Sequence, residues 1–350
     1  MVEIQTFMKQ SDTLFLQACT GKPTSHTPVW LMRQAGRYMK EYRDIRAKVS
    51  FLELCRSPEL VCEVTTFACR KINADAAIIF ADILLVPEAL GFDLEFAKDH
   101  GPRIHNPFRA EKDLLTIDGS GIDQKLKYVF DAITLTRKEL EPKYSLIGFA
   151  GAPFTVATYI IEGGKSKDFA LIKNLMRTNE KAWNGLMTAL VDATITYLHG
   201  QVQAGADTLQ LFDSWVGILS EEEYKKHVFP HMQRLFAGIP KDIPTIYFGT
   251  KTKHLLKIMR QAGGTIQGLD TDVQISEYWP QIDFAPIQGN LAPEFLLEDF
   301  SVVKREAQKI LDQVDGRPGF IFNLGHGILP TTPVDNVVRL IEFVHSATQK

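Results

Sequence analysis

An uninterrupted apolar run of about 18 residues, the length a membrane helix needs, does not occur in this chain. The nearest approach, residues 76–90, is broken by Asp82, Pro87 and Glu88, so a buried strand and turn is expected there and no membrane partner. Residues 1–10 lack a basic segment followed by an apolar stretch, so no secretory leader is read and a cytoplasmic location is expected. Positive charge is not in excess either: 39 Lys and Arg stand against 42 Asp and Glu, a formal net charge of −3. That balance leaves no electrostatic footprint for a nucleic-acid backbone. Cysteine is scarce, 4 in 350 residues. No two of them form the Cys-x-x-Cys pair that opens a zinc knuckle. Cys55, Cys62 and Cys69 recur every seven residues. That spacing sets them on one stripe of a helix about 10 Å apart, too far for a disulfide, and they are expected as small core residues.

What is present is an alternation of strand-like and helix-like segments, with 45% of residues hydrophobic and ample material for a core. Strands are expected at 28–32, 76–80, 145–149, 208–212, 244–248, 266–269, 284–288 and 319–322. They are nearly continuous apolar runs, as parallel strands covered on both faces require. The intervening helices have legible ends. Ser57-Pro58-Glu59 offers a cap and a first-turn proline ahead of 60–72, and Asn179 caps a long helix that Gly205 stops. Ser220 with Glu223 fits a capping box ahead of 224–236, residues 259–262 run into Gly263-Gly264, and Pro333 opens a last helix reaching about His345. No low-complexity linker intervenes. The expectation is one α/β domain over residues 1–350, a single (β/α)8 TIM-type barrel, with a doubly wound sheet as the competing arrangement.

A barrel of this kind does its chemistry where the strands end. Those positions here hold Arg33 and Arg37, Asp82, Ala152-Pro153-Phe154 leading to Tyr159, Asp213-Ser214, Asp270, Asn290 and Gly325-His326-Gly327. From Arg33 to Lys48 six basic residues face two acidic ones. Guanidiniums grip carboxylates and phosphates in pairs of hydrogen bonds and stay charged, so an anionic small molecule is expected. Asp82 lies inside an apolar stretch, where a carboxylate is costly without donors or a cation. It is either a structural cap or a group held ready for a cationic or N–H-rich ligand. His326 sits between two glycines, which allow a sharp turn and close approach to a ligand. Other motifs fail on inspection. Gly163-Gly164-Lys165-Ser166 lacks the first glycine of a phosphate loop, which would fall at Tyr159, and Gly325-x-Gly327 lacks the third glycine of a dinucleotide fingerprint. His227 and His231 have chelating spacing without a third ligand, so an exposed helix face is the better reading.

Five segments in order then carry a resemblance: Pro28-Val29-Trp30-Leu31-Met32-Arg33-Gln34-Ala35-Gly36-Arg37-Tyr38, Ile79-Phe80-Ala81-Asp82-Ile83-Leu84, residues 148–164, Leu211-Phe212-Asp213-Ser214-Trp215, and Asn323-Leu324-Gly325-His326-Gly327. Over about residues 27–345 the chain resembles the uroporphyrinogen decarboxylases of haem biosynthesis. The resemblance implies a homodimeric (β/α)8 barrel that works without metal or organic cofactor. It implies removal of the four acetate carboxyls of uroporphyrinogen III. It also implies Asp82, Arg33 and Arg37 as catalytic residues, with Gln34, Ala35, Gly36, Tyr159, Ser214 and His326 completing the substrate site. Residues 247–253 depart from the glycine-rich pattern associated with that loop. Two competing functions are a corrinoid- or thiol-dependent methyltransferase of similar fold and a noncatalytic porphyrin-binding protein.

Overall fold

The computed structural model describes residues 12–97 and 101–350. Nine strands follow in these residues: β1 (Ala76–Ile78), β2 (Leu94–Ala97), β3 (Gly101–Ile104), β4 (Ser145–Gly151), β5 (Thr208–Asp213), β6 (Thr245–Gly249), β7 (Ile266–Gly268), β8 (Ile287–Leu291) and β9 (Phe320–Leu324). Seven of them form one parallel sheet in the order β1-β4-β5-β6-β7-β8-β9, while β2 and β3 pair as a separate antiparallel hairpin. The hairpin, after the first strand, is an insertion that the apolar runs did not reveal.

The expected strand at 28–32 is reduced to one parallel bridge, Val29 to Phe322. It still fills the eighth place. On one side Phe322 N–H donates to Pro28 O at 2.9 Å, and on the other Asp75 N–H donates to Val29 O at 2.7 Å. Trp30 lies fully buried across the interior, its indole N–H on Gln288 Oε1 at 2.7 Å. Gln288 in turn donates to Gln210 at 3.2 Å. The segment closes the barrel through these few main-chain bonds together with the Trp30 side chain, and Arg33, at φ 64, turns the chain after Met32. The expected 284–288 strand starts later, at Ile287, since Asp283 and Phe284 both take left-handed φ values of 52 and 55.

Helices pack outside the sheet much as their end signals imply. Ser57 caps Pro58–Ile72, and the Asn179 side chain accepts Ala182 N–H at 3.1 Å at the head of Glu180–Ala204. Gln201 of that long helix accepts Phe149 N–H and donates to Phe149 O, both at 2.8 Å. Gly148 makes room for it: a Cβ there would lie 2.4 Å from Gln201 Oε1. Two expectations are corrected. Cys55 ends a short helix, Phe51–Cys55, and only Cys62 and Cys69 share Pro58–Ile72, because a new helix begins at Pro58. The expected 224–236 helix is two, Glu221–His227 and Phe229–Gly238, broken at Val228 where Pro230 in the next first turn cannot donate to the ladder. The last helix runs from Val334 to Thr348. No helix of the described residues is long and apolar enough to cross a membrane.

Candidate active site

Reading around the C-terminal ends of the strands, the loops are bonded one to the next. The Thr250 hydroxyl after β6 donates to Ser214 O after β5 at 2.5 Å. Lys251 N–H, in the loop that departs from the glycine-rich pattern, donates to the Asp270 carboxylate after β7. Lys251 adopts φ 57, the backbone region a glycine would take easily. Asn290 on β8 donates from one amide nitrogen to Asp270 O at 2.7 Å and Val273 O at 2.8 Å. Gly325 N–H bonds Leu291 O at 2.9 Å, and Ile328 N–H bonds Met32 O at 2.9 Å. Asp270 and Asn290 therefore hold the rim rather than face a ligand.

Gln34 is sealed inside the turn after Met32. Its side chain accepts Leu31 N–H at 3.1 Å and donates to Ala76 O at 3.0 Å, while its carbonyl takes the Tyr38 hydroxyl at 2.8 Å. These bonds fix the turn and leave Arg33 and Arg37 on its exposed side, with Ala35 and Gly36 half-buried between them. Most of the rest of the basic run is committed: Lys40 pairs with Asp44, Arg43 caps the carbonyls of Arg37 and Tyr38, and Arg46 donates to Val49 O, while the run's Glu41 is taken by Lys71 from outside it. Among the described residues no carboxylate pairs with Arg33 or Arg37. Arg33 lies over the last turn, so close that a Cβ on Gly327 would be 2.4 Å from its Cδ. His326, exposed, occupies the same turn.

Asp82 follows β1 and accepts Leu84 N–H at 2.8 Å. It keeps a face toward the mouth, yet desolvation pushes its carboxyl up to about 6, opposed by the Leu84 hydrogen bond and the Arg33 charge. Tyr159, half-buried in the helix Pro153–Glu162, feels the charges of both Asp82 and Arg33, and burial raises its hydroxyl above its usual range. Its ring meets Trp215 at 6.0 Å, edge-on, beside Ser214. Asp82, Arg33, Tyr159 and the Gly327 turn thus converge, and Ser214 and Arg37 flank them.

One feature escaped the sequence. By register Phe149, Phe212 and Phe248 share the interior face. Phe212 meets Phe149 at 5.5 Å and Phe248 at 6.3 Å, both edge-on, which gives the mouth an apolar floor. Their signal was a phenylalanine closing three successive expected strands, at 149, 212 and 248. Asp213, read from the sequence among the polar strand ends, is instead fully buried and turned outward, bonded by Thr155 Oγ1 at 2.7 Å and Tyr247 OH at 2.8 Å. Burial pushes its carboxyl up to about 6 against those two donors. It anchors the start of the Pro153–Glu162 helix to β5 and β6 and so positions Tyr159. The cysteines take no part: all four are buried free thiols, and burial pushes each up from its ordinary range.

A family model described as uroporphyrinogen decarboxylase matches residues 10–347. A uroporphyrinogen decarboxylase from Sorangium cellulosum is 48% identical over 334 residues, covering 95% of this chain and 95% of that protein. One from Carboxydothermus hydrogenoformans is 46% identical over 333 residues, with 95% of each covered. Among solved structures, a methyltransferase from Methanosarcina mazei matches with a TM-score of 0.77 at 20% identity, over 95% of this chain and 97% of that one. A B12-independent methionine synthase from Shewanella sp. W3-18-1 gives a TM-score of 0.56 at 10% identity, over 94% and 98%. At those identities the two structures speak to the barrel fold alone.

Proposed function

This chain belongs to the uroporphyrinogen decarboxylase family, and we propose that it removes the four acetate carboxyls of uroporphyrinogen III as CO2, leaving the methyls of coproporphyrinogen III. The observation that carries this reading is a pair of exposed guanidiniums, Arg33 and Arg37, without carboxylate ion-pair partners among the described residues, the first of them near a carboxyl whose pKa is raised to about 6. The guanidiniums suit a ligand with many carboxylates, and the carboxyl suits pyrrole N–H groups.

In the proposed reaction a pyrrole ring is protonated at the α-carbon next to the carbon bearing the acetate arm. The ring becomes an iminium-like electron sink, a task that cofactors perform in other decarboxylases. The bond to the carboxylate breaks, its electron pair flows into the ring, and CO2 leaves an exocyclic methylene. A proton added to that methylene makes the methyl, and loss of the first proton restores the pyrrole. One proton is consumed per CO2 released. Asp82, ionised, stabilises the cationic ring; at about 4 Å with an effective dielectric near 20 this attraction is on the order of 4 kcal/mol. Arg33 and Arg37 hold the carboxylate arms, since a guanidinium is too weak an acid to donate efficiently at neutral pH. Tyr159, Ser214 and His326 orient other arms by hydrogen bonds, and the phenylalanine floor receives the ring faces. No metal or organic cofactor enters this scheme. The assembly is a homodimer of single-domain subunits working in the cytoplasm.

A methyltransferase that activates a thiol on zinc held by His and Cys is disfavoured, since among the described residues no cysteine lies in a group of potential metal ligands. The deciding experiment is anaerobic incubation with reduced uroporphyrinogen III, followed by oxidation and chromatography of the products. A ladder from eight carboxylates to four supports the proposal. Unchanged eight-carboxylate material from folded protein overturns it.

A further inference from the structure

At the end of the barrel opposite the mouth, three side chains from distant parts of the chain meet. Asp75 directly precedes β1, His345 lies in Val334–Thr348, and His26 lies in the segment entering the barrel. His345 Nε2 is 2.8 Å from Asp75 Oδ2, and His26 Nε2 is 3.6 Å from Asp75 Oδ1, too long for a hydrogen bond. His26 Nε2 is buried and has no hydrogen-bond partner among the described residues, an unusual state for a ring nitrogen. The three donor atoms lie within 4.8 Å of one another, and the two imidazole centroids are 4.3 Å apart.

We propose that His26, Asp75 and His345 form a binding site for a divalent zinc-type cation that ties the chain's two ends to the base of the barrel. Two imidazoles and one carboxylate, with no sulfur, are a donor set that suits such ions. Tetrahedral bonds of about 2.0–2.2 Å place donors roughly 3.3–3.6 Å apart; His345 Nε2 sits nearer than that to Asp75, His26 Nε2 at the long end of it, and no two of the donor atoms are more than 4.8 Å apart. Coordination therefore asks for small side-chain shifts and satisfies the orphaned His26 nitrogen. Outer contacts already orient the ligands: Ser25 Oγ lies 3.3 Å from His26 Nδ1, and Val29 N–H donates to Asp75 Oδ2 at 2.7 Å. The side chains keep 14–18% of their surface, enough for water in a fourth position. The base of such a barrel serves stability rather than catalysis. The two ends are already joined there, with Thr27 N–H on Thr348 Oγ1 at 2.8 Å and Lys350 N–H on Ser25 O at 2.9 Å. An ion would bind only the folded arrangement and stabilise it in proportion to its concentration over Kd.

The test is titration calorimetry of the metal-stripped full chain with zinc, beside melting curves with and without the ion. One equivalent bound and a raised Tm are expected. His345→Gln and His26→Asn should each weaken binding at least tenfold and remove the Tm rise. Cobalt supplies a second readout independent of stability, a visible absorption band from tetrahedral coordination that both variants should lose. No one-to-one binding, or binding and the cobalt band unchanged in both variants, overturns the site. Decarboxylase activity does not enter this test, so its outcome stands apart from the proposed reaction.

Discussion

Asp82 shows how a single side chain joins stability to chemistry. Its folded-state pKa of about 6 lies above the ordinary 3.8, so its favourable contribution is complete below about 3.8 and lost as pH rises through 6. At neutral pH the ionised form is held at a cost. Asp82→Asn should therefore raise stability at pH 7.5 by on the order of 2 kcal/mol and change it little at pH 4, measured by urea denaturation at both pH values. The same variant should lose roughly 10² in turnover, the scale of one missing electrostatic stabiliser. The wild-type acid limb of kcat/KM near pH 6 should disappear with it. Near-normal turnover would remove Asp82 from the mechanism. Asp213 has the same raised carboxyl without facing the substrate. Tyr247→Phe deletes one of its two side-chain donors and should cost about 1–3 kcal/mol at pH 7.5. The loss should be smaller at pH 5, where the carboxyl is mostly protonated, and denaturation at the two pH values checks this.

Among elements, the turns after the strands do more than connect. Gly327→Ala puts a methyl where Arg33 now lies, and the guanidinium must move. KM for uroporphyrinogen should rise at least tenfold while Tm shifts little, since both partners sit at the rim. Asn290→Ala removes two bonds that hold the turn after β7. It should cost about 2 kcal/mol in denaturant unfolding and raise KM as well, because the Asp270 clamp on Lys251 loosens with it. The sequence showed these turns as clusters of glycine, aspartate and asparagine, but not which of them bind ligand and which bind each other. Helix ends were legible at Ser57, Asn179 and Ser220, where a side chain caps locally, while the like caps at Thr13 and Ser50, each heading a short helix, were missed. The split at Val228 was harder to see, since an apolar stripe continues across it and only Pro230 marks the break. The β2–β3 hairpin was missed because its strands are short and half-exposed, with no long apolar run to announce them.

For the molecule as a whole, a parallel barrel gathers at one end residues that are up to 293 positions apart, Arg33 and His326, and at the other His26 and His345. Its mouth was readable from the sequence because near-continuous apolar strands end in polar residues, and that pattern names Arg33, Arg37, Asp82, Asp213, Ser214, Asp270, Asn290 and His326, with Tyr159 further on, without telling which of them face a ligand. The family was readable for a related reason, since close approach of backbone to ligand demands particular residues in a particular order. What the sequence could not supply is orientation. Whether Asp213 faces the ligand or the helix behind it depends on strand register, a choice that alternates with every residue. Whether Gln34 binds substrate or locks a turn depends on Ala76, a neighbour only after folding. Whether Arg33 and Arg37 are free depends on which acids the other basic residues have already taken. The meeting of His26, Asp75 and His345 depends on closure of the barrel. Local sequence determines capping, burial preference and chemical type, because these act over a few residues. Partnership, and with it the raised pKa of Asp82, is decided by tertiary structure, because desolvation and long-range pairing exist only once distant segments are packed together.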